Sequence, residues 1–156
     1  MLDNCDIKER WSGVNKLIER WLTERQAVIV QYCAISGVHV LSPQSAAANR
    51  QRLQRYCQLL LDYVSAGHFE VYYELLREAE AFQDGSAELA TSLMPEINAT
   101  TALALDFSDK YAEAGQQALT NLAKDLSRLG EILAERFDYE DRLIDAMHSC
   151  HREQVA

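Results

Sequence analysis

The chain has 156 residues, enough for one hydrophobic core and short for two, so we expect a single domain over residues 1–156. Hydrophobic residues make up 48% and charged residues 25%, which is typical of folded globular proteins and unlike disordered chains. Asp and Glu number 24 against 15 Lys and Arg, giving a net charge of −9. This acidity disfavours direct binding to nucleic acid or to an anionic membrane surface, and suits a basic protein partner or solubility alone.

The sequence also indicates a compartment. Its first residues, MLDNCDIKERW, lack the basic and apolar regions of a signal peptide, and no apolar run reaches the length of a membrane span. The four cysteines are widely spaced, as in proteins whose thiols stay reduced and mostly buried. We therefore expect a cytoplasmic protein with no membrane contact.

The first segment, residues 3–36, has apolar residues three or four positions apart and predicts a long helix. Gly37 follows at the position where glycine commonly ends a helix. The predicted buried stripe consists of Trp11, Val14, Ile18, Trp21, Val28 and Tyr32.

Two helices are predicted in the next part of the chain. Ser42-Pro43 is typical of a helix start, and a helix from there to Val64 follows the longer connection over residues 37–43. Residues 65–68, Ser-Ala-Gly-His, predict a tight break before a further helix over residues 68–82. The side chains expected to face inward from that helix are Phe69, Tyr72, Leu76 and Ala79.

The remaining chain predicts a short helix from Ser86 to Met94, a helix starting at Pro95, and a last helix over residues 116–149. The last helix has a heptad-like stripe that includes Phe137, Glu140 and Ile144, and its Gly130 indicates a kink or a close helix crossing. Short connections make neighbouring helices antiparallel. We therefore predict an all-α, up-down helical bundle with long first and last helices and a tail, residues 150–156, that can fray.

Motifs for catalysis or cofactor binding are absent from the sequence: it has no Gly-rich phosphate loop, no G-x-S-x-G and no C-x-x-C. The adjacent carboxylates Glu140 and Asp141, beside Arg136 and Arg142, are predicted to form a solvated, ion-paired helix face. The segment His148-Ser149-Cys150-His151 is the best metal candidate, although adjacent helical residues cannot converge on one ion. We predict no enzyme, no metal and no cofactor; a metal-dependent enzyme built on this tail is a third-ranked hypothesis.

The negative charge is concentrated in two stretches. Residues 70–88 contribute a net −5 and residues 131–145 a net −4, which together equal the net charge of the chain. These stretches are either well-solvated outer faces or a surface that attracts a basic partner.

Three segments together resemble a known family. They are RWLTER at residues 20–25, DYVSAGHFEVY at residues 62–72 and ERFDYEDRLI at residues 135–144. In this order and spacing the chain resembles the Rsd/AlgQ family of bacterial anti-sigma factors, and the central segment is the most specific part.

The resemblance implies a cytoplasmic helical bundle that binds the primary sigma factor of RNA polymerase. In that family the target is region 4, the basic C-terminal domain of sigma that reads the −35 promoter element and docks on the core enzyme. Covering region 4 blocks both contacts, a mechanism that needs occupancy and no catalysis. The alternative is an acidic helical adaptor that regulates another signalling enzyme or carrier protein.

The resemblance also suggests partner-binding residues. Asp62 is expected to pair with a basic partner residue, and Gly67 to allow close backbone approach. For Trp21, Phe69 and Tyr72 the sequence leaves both core and interface open. The complete predicted set is Arg20, Trp21, Arg25, Asp62, Ser65, Gly67, His68, Phe69 and Tyr72.

Overall fold

The computed structural model describes residues 2–37, 46–82, 85–112 and 121–155, which are almost entirely helical and contain no strand. The all-α bundle predicted from the sequence is confirmed. The helices are α1 (Leu2–Gly37), α2 (Ala46–Ala66), α3 (Tyr72–Phe82), α4 (Ser86–Ala112) and α5 (Leu122–Val155), with a π-helical turn, Gly67–Val71, between α2 and α3.

Pairs of contacting side chains show that neighbouring helices run antiparallel. Tyr32 of α1 reaches the Leu126 carbonyl of α5, whereas Arg25, two turns earlier, pairs with Asp141 further along α5. Lys110 of α4 pairs with Asp125 near the start of α5. With α2, the π-turn and α3 counted as one rod, the described helices form an up-down four-helix bundle.

The core is a continuous cluster of apolar side chains from every helix. The spacing predicted its position well in α1, α2 and α5, because residues three or four apart share one helix face. Its fully buried members include Trp21, Tyr56, Leu60, Tyr63, Leu75, Ile97, Leu129 and Leu143.

The break predicted at residues 65–68 is wrong. The chain stays helical there, and the π-turn Gly67–Val71 joins α2 directly to α3. A π-turn accommodates one extra residue without interrupting the helix, so the small residues that suggested a break instead allow a local widening. The prediction that Phe69 faces inward is also wrong, because its side chain is 73% exposed.

The helix start predicted at Pro95 is likewise wrong, because Pro95 lies inside α4. Proline removes one backbone hydrogen bond and crowds the preceding turn. Here the buried side chains of Leu93 and Ile97 hold both flanks of Pro95 in the core, and tertiary packing outweighs the local preference.

Of the two alternatives predicted at Gly130, a kink or a close helix crossing, the structure shows the close approach. A Cβ atom at this position would lie 2.9 Å from Cζ of Tyr32 and would overlap its hydroxyl oxygen. That hydroxyl donates a hydrogen bond of 2.7 Å to the Leu126 carbonyl. Glycine therefore lets α1 approach α5 closely.

Several predictions fall on residues that the structure does not describe, among them the helix start at Ser42-Pro43 and the side chains of His148, Cys150 and His151. Of the four cysteines, Cys57 is buried and Cys33 is exposed, and both are free thiols. Within the described ranges, no helix is both long enough and apolar enough to cross a membrane.

Candidate functional site

An acidic and aromatic patch lies on the outside of the bundle where α1 approaches the π-turn. We define it by the side chains Glu24, Asp62, His68, Phe69, Glu70 and Tyr73. Glu24 of α1 lies close to Asp62 of α2 and to Glu70 of the π-turn, and Phe69 directly precedes Glu70.

The carboxylates of the patch are close enough to influence one another. Burial raises the pKa of the Glu24 carboxyl, and the negative charges of Glu70 and Asp62 raise it further, whereas Arg20 lowers it. Asp62 itself is exposed and accepts a hydrogen bond of 2.9 Å from the Gln58 amide. Three helical elements thus bring three carboxylates to one place.

Large aromatic side chains face water beside these carboxylates. Phe69 is 73% exposed and Tyr73 is 63% exposed. The imidazole of His68 packs edge-on against the Phe69 ring, with centroids 4.9 Å apart. Exposed aromatic groups next to charged groups are a composition typical of protein-binding surfaces.

Beneath the patch, α5 contributes a charged pair that is completely buried. Arg136 and Glu140 are both 0% exposed, and the Nε atom of Arg136 lies 3.5 Å from Oε1 of Glu140. The guanidinium donates hydrogen bonds to the hydroxyls of Tyr72 (2.7 Å), Thr101 (2.6 Å) and Thr100 (3.2 Å). The prediction that Arg136 and Glu140 lie on a solvated helix face is therefore wrong. In the structure, hydrogen-bonding side chains replace water around the two buried charges.

Two tyrosines complete this buried polar network. Tyr63 donates a hydrogen bond of 2.6 Å to the Glu140 carboxylate, and Tyr72 donates one of 3.3 Å. Burial raises the pKa of Glu140 to about 7, although the Arg136 charge and the tyrosine donors partly oppose the rise. Burial and the nearby Glu140 charge hold the pKa values of both tyrosines well above their usual range.

Aromatic and glycine packing joins the network to the π-turn. Trp21 of α1 stacks on Tyr63 and meets Tyr72 edge-on, with both centroid distances 5.7 Å. A Cβ atom on Gly67 would lie 3.1 Å from the Tyr72 ring and 3.3 Å from Nη2 of Arg136. Gly67 therefore brings the backbone of the π-turn against the two side chains that anchor it.

The structure separates the nine predicted partner-binding residues by exposure. Arg20, Asp62, His68 and Phe69 are exposed, and Ser65 and Arg25 are half-buried. Trp21, Gly67 and Tyr72 are buried, so these three have no surface to offer a partner in this structure. Of the two alternatives, core and interface, the structure places Trp21 and Tyr72 in the core. Phe69 lies at the surface.

The three predicted partner-binding residues of α1 do not form one surface. Trp21 is in the core, and Arg25 turns toward α5, where it pairs with Asp141 at 2.8 Å and lies over the Phe137 ring at 5.2 Å. Arg25 therefore helps attach α1 to α5.

Sequence reasoning missed the network, since charged residues are rarely fully buried unless they are paired. One signal was present: Glu140 occupies a position of the apolar stripe between Phe137 and Ile144. In the part of the chain whose side chains are described, no group of three or more His, Cys, Asp or Glu is arranged to hold a metal ion.

The fold and the site define a four-helix bundle that displays an acidic and aromatic surface over a buried ion pair. Residues 1–148 match the model of the family described as "Regulator of RNA polymerase sigma(70) subunit, Rsd/AlgQ". The chain belongs to this family.

Curated relatives agree with this assignment. A protein named "Regulator of sigma D" from Yersinia pseudotuberculosis serotype O:1b (strain IP 31758) is 31% identical over 153 residues, covering 96% of this chain and 90% of the relative. A protein of the same name from Enterobacter sp. (strain 638) is 36% identical over 140 residues, covering 88% and 84% respectively.

Proposed function

We propose that this protein is an anti-sigma factor that binds region 4 of the primary sigma factor through the acidic and aromatic patch. Occupancy of region 4 would block both its docking on core RNA polymerase and its recognition of the −35 element. The mechanism requires no catalysis and operates in the cytoplasm, where RNA polymerase acts. Family membership supports a sigma regulator, and the patch supports the choice of surface.

The observation that carries the proposal is the meeting of Glu24, Asp62 and Glu70 beside the exposed ring of Phe69. A domain that reads DNA is positively charged where it meets phosphate. An acidic surface complements that charge, which speeds association and discriminates among partners. The aromatic rings supply the apolar area that charge pairs alone do not contribute.

Charge reversal at the centre of the patch tests the proposal. We expect Asp62→Arg to weaken binding to isolated region 4 by about 30-fold or more, since a paired carboxylate becomes a repelled cation. The matched control is Asp109→Arg on α4, an exposed carboxylate outside the patch, which should bind as the wild type does. Titration calorimetry of the three proteins against region 4 measures the difference.

Two results would contradict the proposal. Equal affinities of the Asp62 and Asp109 variants would remove Asp62 from the interface. A wild-type protein that elutes separately from region 4 on size exclusion at micromolar concentration would overturn sigma binding itself and favour the adaptor alternative.

A further inference from the structure

The π-turn is the place where the buried polar network meets the exposed patch. His68, Phe69 and Glu70 lie within the turn and are exposed. Tyr72 directly follows it and is buried, with its hydroxyl in the network. The π-turn and Tyr72 therefore connect the buried network to the proposed binding surface.

Helix geometry shows why this segment widens. Tyr63 and Tyr72 are nine residues apart, which in a regular α-helix is about two and a half turns and places them on opposite sides. A π-turn takes up one extra residue and reduces their separation to roughly a quarter of a turn. Both hydroxyls then reach the single carboxylate of Glu140.

Three contacts hold the turn in this form. The backbone N–H of Tyr72 donates to the Gly67 carbonyl, which closes the wide turn. The Tyr72 hydroxyl accepts a hydrogen bond of 2.7 Å from Nη2 of Arg136 and donates to Glu140. Gly67 fits closely against Tyr72 and Arg136, so a Cβ atom at this position would require these side chains to shift.

A buried ion pair contributes little net stability, because desolvation of the two charges offsets most of their attraction. Its hydrogen bonds are nevertheless directional, and a network of this kind specifies one arrangement of the groups it joins. Arg136 also reaches α4 through Thr100 and Thr101, so the anchor of the π-turn is fixed to a second helix.

We infer that Arg136 and Glu140 are positioning residues for the proposed interface: through Tyr72 they hold the π-turn so that His68 and Phe69 face the partner in one orientation. Neither residue touches the partner. The inference rests on the proposed function where it concerns binding. Its structural half, the ordering of the π-turn by Arg136 and Glu140, concerns the free protein alone.

The test is the Tyr72→Phe variant, which keeps the ring and removes the hydroxyl. We expect amide hydrogen exchange of the free protein to become about tenfold faster in residues 67–73, because the turn loses its side-chain anchor. We also expect affinity for region 4 to fall about tenfold, because without this anchor the turn adopts the binding-competent orientation in only about a tenth of the molecules. The matched control, Tyr111→Phe, removes a tyrosine hydroxyl that donates to Asp125 at the other end of α5.

The control should leave both exchange in residues 67–73 and affinity unchanged, whatever it does to overall stability. Unchanged exchange in the Tyr72 variant would overturn the anchoring of the turn. Faster exchange with unchanged affinity would overturn its link to binding. Failure of the wild type to bind region 4 would be a failure of the proposed function, and the exchange comparison would still decide the structural half.

Discussion

Two carboxylates of α5, Asp125 and Glu140, have the same kinds of partner, a cation and tyrosine hydroxyls. Their pKa values nevertheless move in opposite directions. Near the start of α5, Asp125 pairs with Lys110 at 2.7 Å and accepts a hydrogen bond from Tyr111. Further along, Glu140 likewise has a cation and tyrosine hydroxyls beside it. The pKa of Asp125 is lowered by its hydrogen bonds from Lys110 and Tyr111, whereas burial raises the pKa of Glu140.

The difference lies in access to water. Lys110 and Asp125 are partly exposed, so solvent continues to stabilise both charges and the partners add to that effect. Arg136 and Glu140 have lost all solvent, and their partners replace only part of the lost hydration. The same carboxylate–cation–tyrosine group is thus a modest surface interaction at one place and a sensitive structural element at the other.

Removal of the cation tests this contrast most strongly. At about pH 8, where Glu140 is ionised, we expect Arg136→Met to lower the free energy of unfolding by about 3–5 kcal/mol, because Glu140 is left as a buried charge without its counter-ion. Lys110→Met at the exposed pair should cost less than about 1 kcal/mol. Urea denaturation of both variants measures the two losses, and similar values would show that burial does not distinguish the clusters.

The pH dependence of stability sharpens the same contrast. The folded-state pKa of Glu140, about 7, lies above its ordinary value of 4.5, so the folded protein holds this proton more tightly than the unfolded chain. The associated stability is fully present below about pH 4.5 and is lost as pH rises to about 7, a total fall of about 3 kcal/mol. For Asp125 the sign is reversed, and stability is lost only as pH falls below its ordinary value of 3.8.

The measurement is the free energy of unfolding between about pH 5 and about pH 8, for the wild type and for Glu140→Gln. The variant lacks the titrating group, so its curve should be flatter than that of the wild type over this range. Parallel curves would assign the pH dependence to other groups.

A smaller effect is expected from glycine substitutions. Gly67→Ala places a methyl group against Tyr72 and Arg136, and we expect it to lower the free energy of unfolding by about 1–2 kcal/mol. Gly13→Ala on α1, where no atom lies within 4 Å of the new Cβ, should raise it by about 0.5–1 kcal/mol through helix propensity. Thermal melting compares the two variants, and stabilisation by both would mean that the π-turn adjusts freely.

The sequence predicted the helical class and most of the core because apolar side chains recur at helical spacing along α1, α2 and α5. It failed where long-range contacts overrode local preferences. Pro95 predicted a helix start, but buried neighbours on both sides keep it within α4. Residues 65–68 predicted a break, but the chain stays helical there. The widened turn is held by Arg136, which is about 70 residues away in sequence.

Exposure at the candidate site was predicted in part, while its role in binding stays a prediction. Asp62 and His68 were expected at the surface and are exposed there. Arg136 and Glu140 were assigned to solvent because an isolated sequence does not show that two tyrosines and two threonines from other helices surround them. The tertiary fold determines these partners, and the periodicity of one helix does not predict them.

The π-turn also determines which changes of chain length this region tolerates. For folding alone, the exposed positions 68–70 accept many side chains, since those side chains face water. Deleting one of the exposed residues 68–70 would leave Tyr63 and Tyr72 eight residues apart, which in a regular α-helix is again roughly a quarter of a turn, so both hydroxyls would still face Glu140. Inserting one residue would instead rotate Tyr72 by roughly 100° more and place it on the opposite side of the rod from Tyr63. After such an insertion Glu140 would keep only one of its two hydroxyl donors, so the fold tolerates a shorter turn here and not a longer one.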